Sequence, residues 1–276
     1  MKKVVSLAFA IALSVGLVAC GDEKGSQSSK DETSQNAPLK VGATPVPAAE
    51  ILEFIKPQLQ AKGVDIQIQN FTDYVVPNTS LAEGSSDANL YQHKPFMDKT
   101  NEEKGYKLTA LTPVYVVPLG FYSQKVKSID EIPQGASIAI PGDASNMARA
   151  FILLHDNGVI KIKDPSNLST TELDIVENPK KIVFKPMEAA SLPLVLDSVD
   201  GAVINANYAL QAKMSLKSAI FHENDKSAYV NVLVAREDNK DDERISKLKD
   251  VLLSKETREF ILSKYKGEII PVGEAN

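Results

Sequence analysis

The chain has 276 residues, 43% of them hydrophobic, and a formal net charge of −5. A mildly acidic balance with no basic stripe argues against nucleic acid as a partner. The single cysteine excludes an internal disulfide, and His93, His155 and His222 share no metal-ligand spacing.

The amino terminus reads as an address. Lys2 and Lys3 precede an apolar run from Val4 to Val18 that is short for a bilayer span, and small residues then lead to Cys20. Residues 1–19 are therefore expected to be a secretory signal peptide. Leu17-Val18-Ala19-Cys20 resembles a bacterial lipobox. That pattern implies cleavage before Cys20 and a thioether-linked diacylglycerol on it, and two acyl chains hold a protein stably on a membrane. Gly21 to Ala37 is rich in Gly, Ser, Gln and charged residues and lacks aromatics. Residues 20–38 thus read as a lipidated cysteine and flexible tether. The expected place is the extracytoplasmic membrane face, periplasmic or cell-surface.

Beyond the tether lies a body of roughly 240 residues, near the size at which one core gives way to two. Leu39 to Ala43 is a short apolar strand, broken by Thr44-Pro45-Val46-Pro47. Ile51, Ile55 and Leu59 recur at helical spacing, Pro57 should kink or shorten that helix, and Gly63 ends it. Val64, Ile66 and Ile68 alternate with polar residues, the pattern of a strand with one wet face. Phe71-Thr72-Asp73-Tyr74 comes after it, and a helix ends near Gly84. Asp87 to Leu90 reads as a strand, and Pro95 suits the first turn of a helix. Tyr91, Gln92 and His93 are then expected on a loop at a strand's carboxyl end, where open α/β sheets bind ligands.

A long extended run covers Tyr106 to Tyr122. Its Pro118 suits a strand leaving one sheet for another. Ser128 to Ile132 reads as a helical turn, Ser137 to Ile140 as a buried strand, and Pro141 to Asn146 as a turn with N-cap candidates. A helix then runs to about Asn157, with Met147, Phe151 and Leu154 on one face. Lys161 to Pro179 has no clear pattern. Lys181 to Phe184 reads as a strand, Glu188 to Leu196 as a helix, and Gly201 to Ile204 as a strand ending at Asn205. Tyr229 to Ala235 is the last clear strand. Asp238 or Asn239 is expected to cap a helix carrying Ile245, Leu248 and Leu252, and a final helix carries Phe260, Ile261 and Tyr265. Alternating strands and helices imply α/β units in two lobes, with a cleft between them as a place for a small ligand. The expected division is 39–117 plus 225–276 against 118–224.

Four side chains stand out. Asn231 interrupts an apolar strand, where an amide needs partners or has a function. Asn205 either lines a site or caps the helix after it. Arg149 either grips a carboxylate bidentately or is solvated. Tyr74 walls a pocket or packs at a sheet rim. No nucleophile elbow, phosphate loop or dinucleotide fingerprint occurs, and no enzyme chemistry is expected.

Several segments match one family in order: Lys40 to Pro47, Phe71 to Asn78, Asp87-Ala88-Asn89 with Gln92-His93-Lys94-Pro95, Ala202 to Asn205, Tyr229-Val230-Asn231, and Arg236 to Asn239. Over nearly the whole body the chain resembles the methionine-binding lipoproteins, the substrate receptors of methionine ABC importers. The resemblance implies a type II periplasmic-binding-protein-like fold, two α/β lobes joined by a hinge and closing on one amino acid. It implies an ABC permease and its ATPase as partners, and no cofactor or metal. Carried over by position, Arg149 would bind the α-carboxylate, Asn205 and Asn231 would fix the head group, and Tyr74, Tyr91 and His93 would surround the thioether. Ala48 stands where many relatives have His, and Leu90, beside the presumed wall, where many have an aromatic ring. Methionine, L-methionine first, is the expected ligand. D-methionine, methionine sulfoxide and a methionine-containing dipeptide stay open, as does a surface adhesin or scaffold reusing the fold.

Overall fold

The structure is a computed structural model that describes residues 37–224 and 227–272. The signal segment, the tether and Cys20 lie outside the described residues. Among the described residues, no helix is long and apolar enough to cross a membrane.

Thirteen strands are described: β1 (Leu39–Ala43), β2 (Ile66–Asn70), β3 (Ala88–His93), β4 (Leu108–Val116), β5 (Leu119–Tyr122), β6 (Ser137–Pro141), β7 (Lys161–Ile162), β8 (Ile175–Glu177), β9 (Val183–Met187), β10 (Gly201–Asn205), β11 (Phe221–His222), β12 (Val230–Arg236) and β13 (Ile270–Pro271). The α-helices are α1 (Glu50–Ala61), α2 (Val76–Ala82), α3 (Lys94–Lys104), α4 (Ala144–Asp156), α5 (Ala206–Gln211), α6 (Glu243–Leu252) and α7 (Lys255–Tyr265). One sheet has the order β13-β4-β12-β3-β1-β2, a second β11-β5-β10-β6-β9, and β7 and β8 form a separate antiparallel pair. Both large sheets are mixed, with parallel pairs β1/β2, β1/β3, β6/β9 and β10/β6 beside antiparallel neighbours.

Each sheet is covered on both faces, the three-layer solution for strands apolar on two sides. Under the first sheet, Val41 and Leu233 pack with Ile51, Ile55, Leu248 and Ile261 from α1, α6 and α7. Its other face meets Leu81 of α2 and Met97 of α3. The second sheet packs Phe121, Ile138 and Ile140 on Phe151 and Leu154 of α4, and Ala202 and Ile204 on Leu192, Leu196 and Tyr208. The chain leaves the first sheet at Val117-Pro118 and returns after β11. Proline cannot donate to a ladder, so Pro118 falls where one sheet ends and the other begins. Helix α5 spans the seam. Its Ala206 packs in the first sheet's core and its Tyr208 in the second's.

Several expectations need correction. Tyr91, Gln92 and His93 are not on a loop. They are the buried second half of β3, because β12 pairs along it as far as Asn231 opposite His93. Helix α1 is not cut short at Pro57 but runs on to Ala61. The carbonyl that Pro57 leaves unbonded belongs to exposed Glu53, so water can satisfy it. Asp242, not Asp238 or Asn239, caps α6, accepting from Arg244 N. Asn239 instead closes the turn after β12, accepting from Arg236 N and donating to Asp87 O. Ala189–Val195 is a 3₁₀ segment rather than an α-helix, and Ser128 to Ile132 forms bends and turns.

Candidate ligand-binding site

Side chains from both halves of the fold converge on one cavity at the seam. Its wall holds Tyr74, Tyr91, Gln92, His93, Phe96, Val117, Asn146, Arg149, Asn205, Asn207 and Asn231. It contains about 300 Å³ of atom-free space, part of it open to the groove outside. All six residues singled out in the sequence, Tyr74, Tyr91, His93, Arg149, Asn205 and Asn231, line it together. Leu90 and Ala48 do not. Both are fully buried in the core beneath the first sheet, so neither forms part of the cavity wall.

The first sheet's side is held by helix starts and an amide cluster. His93 is the N-cap of α3, and its Nδ1 accepts from Phe96 N at 3.1 Å. The proton must then sit on Nε2, which donates to Asn146 Oδ1 at 3.2 Å. Burial, with the nearby Arg149 charge second, pushes the His93 pKa down to about 3, so the ring is neutral at ordinary pH. Behind it Asn78, Asn89 and Gln92 bond one another, and all three are buried. Asn231 donates from Nδ2 to Tyr91 O at 3.1 Å, which fixes it beside β3.

The second sheet's side begins at α4. Asp143 caps that helix, and its carboxylate also receives Asn146 Nδ2 at 3.0 and 3.1 Å. This turns Asn146 Oδ1 towards the cavity, where it accepts from both His93 and Asn205 Nδ2. One helical turn on, Arg149 is only 2% exposed. It is not the solvated arginine that composition favours. Its Nε and Nη2 grip Glu223, Nη2 also donates to Val117 O at 2.8 Å, and the guanidinium lies 4.7 Å from the Tyr229 ring centroid. The bidentate fork expected to grip a ligand carboxylate is thus occupied by a carboxylate of the chain itself.

An aromatic wall closes the other end. Tyr74 stands 6.0 Å from Tyr91, 5.9 Å from Phe96 and 5.0 Å from Tyr208, centroid to centroid. Tyr91 donates to Tyr74 O, and Tyr74 donates to Asn207 Oδ1 at 2.6 Å, a bond that joins the two sheets. Burial raises the pKa of both phenols, so both remain neutral.

Two polar atoms of the wall are buried without a protein partner among the described residues: Asn205 Oδ1, an acceptor, and Asn207 Nδ2, a donor. Unpaired buried groups are costly, and here one of each kind belongs to residues that line the same cavity. Asn205 occupies the N-cap position of α5 yet makes no side-chain cap bond, so its amide serves the cavity instead. Asn146, Asn207 and Glu223 were not identified in the sequence as site residues, and Gln92 was placed on the ligand-facing stretch without a role of its own. Asn207 lies two positions after Asn205, a signal hidden by its helical setting. Asn146 looked like a cap, and nothing marks Glu223 before the fold brings it to Arg149. Among the described residues, no three His, Cys, Asp or Glu side chains gather as a metal site.

Comparison with known proteins gives a consistent picture. The profile described as "NlpA lipoprotein" matches residues 39–273. The chain is 40% identical over 250 residues, 89% of each chain, to a protein of Escherichia coli strain K12 named D-methionine-binding lipoprotein MetQ. It is 41% identical over 244 residues, 87% of each chain, to outer membrane lipoprotein 1 of Mannheimia haemolytica. A solved nutrient-binding protein from Burkholderia cenocepacia, bound to methionine, superposes with a TM-score of 0.82 at 39% identity, covering 85% of this chain and 100% of that one.

Proposed function

The chain belongs to the NlpA lipoprotein family, and from that membership we propose that it is a methionine receptor and not an enzyme. It captures methionine between two hinged lobes, 39–117 with 225–276 and 118–224, and delivers it to an ABC permease and its ATPase. A lipid on Cys20 holds it at the extracytoplasmic face of a membrane.

The observation that carries this reading is the convergence of six residues from both halves of the fold on one cavity with complementary ends. At the polar end, beside the Arg149–Glu223 pair, Asn207 Nδ2 offers a donor suited to a carboxylate and Asn205 Oδ1 an acceptor suited to an ammonium. At the other end, Tyr74, Tyr91 and Phe96 suit a flexible thioether, which makes favourable sulfur–ring contacts. Binding needs no covalent chemistry. Burying the zwitterion against matched groups supplies its polar partners, and the apolar tail leaves water.

Two measurements test it. Mass spectrometry of the purified chain should find a trapped amino acid, and a surface scaffold would carry none. In calorimetry, Arg149→Ala should weaken methionine binding about 100-fold or more, because it also strands the half-buried Glu223 carboxylate beside the cavity. Asn231→Ala should weaken it roughly tenfold, the scale of one hydrogen bond. Unchanged affinity in both folded variants would remove this site assignment.

A further inference from the structure

Among the described residues, Arg149 is the one charged side chain in the cavity wall, and His93 beside it is neutral. A lone buried guanidinium there would draw any anion of suitable shape. Arg149 is not alone. Glu223 takes its Nε and Nη2 in a two-point contact. Glu223 is itself held at the junction between the sheets, where its carboxylate accepts from Leu119 N at 2.9 Å and its own N donates to Leu119 O. Its side chain is 13% exposed, so water screens the pair weakly. Arginine and glutamate cancel, and among the described residues the buried wall atoms without a protein partner are one donor, Asn207 Nδ2, and one acceptor, Asn205 Oδ1. Asp143 lies outside this wall, and its carboxylate is taken up by Asn146 and Ser145.

A ligand bearing both charges meets a matching pair of dipoles. A ligand bearing one brings an uncompensated charge into a buried space, which is costly. Resting on the receptor function proposed for this cavity, we propose that Glu223 sets the charge class of the ligand: by cancelling Arg149 it restricts the cavity to molecules of zero net charge. Glu223 need not touch the ligand. It acts through the guanidinium it neutralises.

The test uses the full chain in detergent, stripped of ligand, with three probes on one skeleton. These are methionine, 4-(methylthio)butanoate, which lacks the ammonium, and 3-(methylthio)propylamine, which lacks the carboxylate. In the wild type, each single-charge probe should bind about 100-fold or more weaker than methionine. In Glu223→Gln, the butanoate should gain about tenfold or more relative to methionine, and the propylamine should lose ground. Because the three probes are compared within each protein, a uniform structural loss leaves the ratios unmoved. Methionine binding with equal ratios in both proteins overturns the role of Glu223 alone. A wild type that binds the butanoate within about tenfold of methionine overturns it too, whether or not the variant folds. A folded wild type that binds no probe overturns the receptor function itself.

Discussion

His93 shows how one side chain can serve fold and site together. Its Nδ1 caps α3 and its Nε2 orients Asn146, and only the neutral ring does both. Its pKa falls from 6.5 to about 3 in the folded state. The unfolded chain therefore takes up a proton that the folded chain refuses, and stability declines as pH falls from about 6.5 towards 3. From pH 7 to pH 5 this group should remove about 2 kcal/mol. Urea unfolding at the two pH values should show that decline in the wild type and a smaller one in His93→Gln. Equal declines would refute the buried neutral ring. Residue identity was legible at this scale where a side chain clashed with its local pattern, as with Asn231 in an apolar strand. Arg149 was legible as a candidate but not in its pairing. Glu223 lies 74 positions away, and only the return of the chain after β11 brings the two together.

At the scale of elements, most strands and helices obey periodicity, and the departures have local causes. Strand β3 outran its expected end because polar Gln92 and His93 find partners inside the protein, which a hydropathy pattern cannot reveal. The cap of α6 was misplaced because Asp238 and Asn239 belong to the turn before it, and Asp242 stood within the same acidic run. Gly201 opens β10 beneath the Phe121 ring, and a Cβ there would collide with that ring. Strand β10 carries Asn205 at its other end, so its depth in the sheet sets the floor of the cavity. Gly201→Ala should destabilise by about 1–3 kcal/mol, since overpacking a filled core forces ring and strand apart. The midpoint of urea unfolding measures this, and a shift near zero would mean that the ring moves aside freely.

At the scale of the molecule, two covered sheets meet along a seam of polar contacts. Tyr74 bonds Asn207, His93 bonds Asn146, and Tyr208 bonds Thr72 O, each pair spanning the seam. Hydrogen bonds to neutral groups exchange readily with water, so such a seam can part and re-form more easily than an apolar one. The two-lobed plan was legible in the alternation of strands and helices and in Pro118 at the crossover. The closing bonds were not, because they join residues that share no local pattern. A receptor built this way binds by enclosing its ligand. Calorimetric titration of the ligand-stripped chain with L- and D-methionine tests that most directly. Saturable binding of at least one enantiomer at one site per chain, abolished or severely weakened in Arg149→Ala, is the predicted result. A folded wild-type chain that gives no heat with either enantiomer would contradict it.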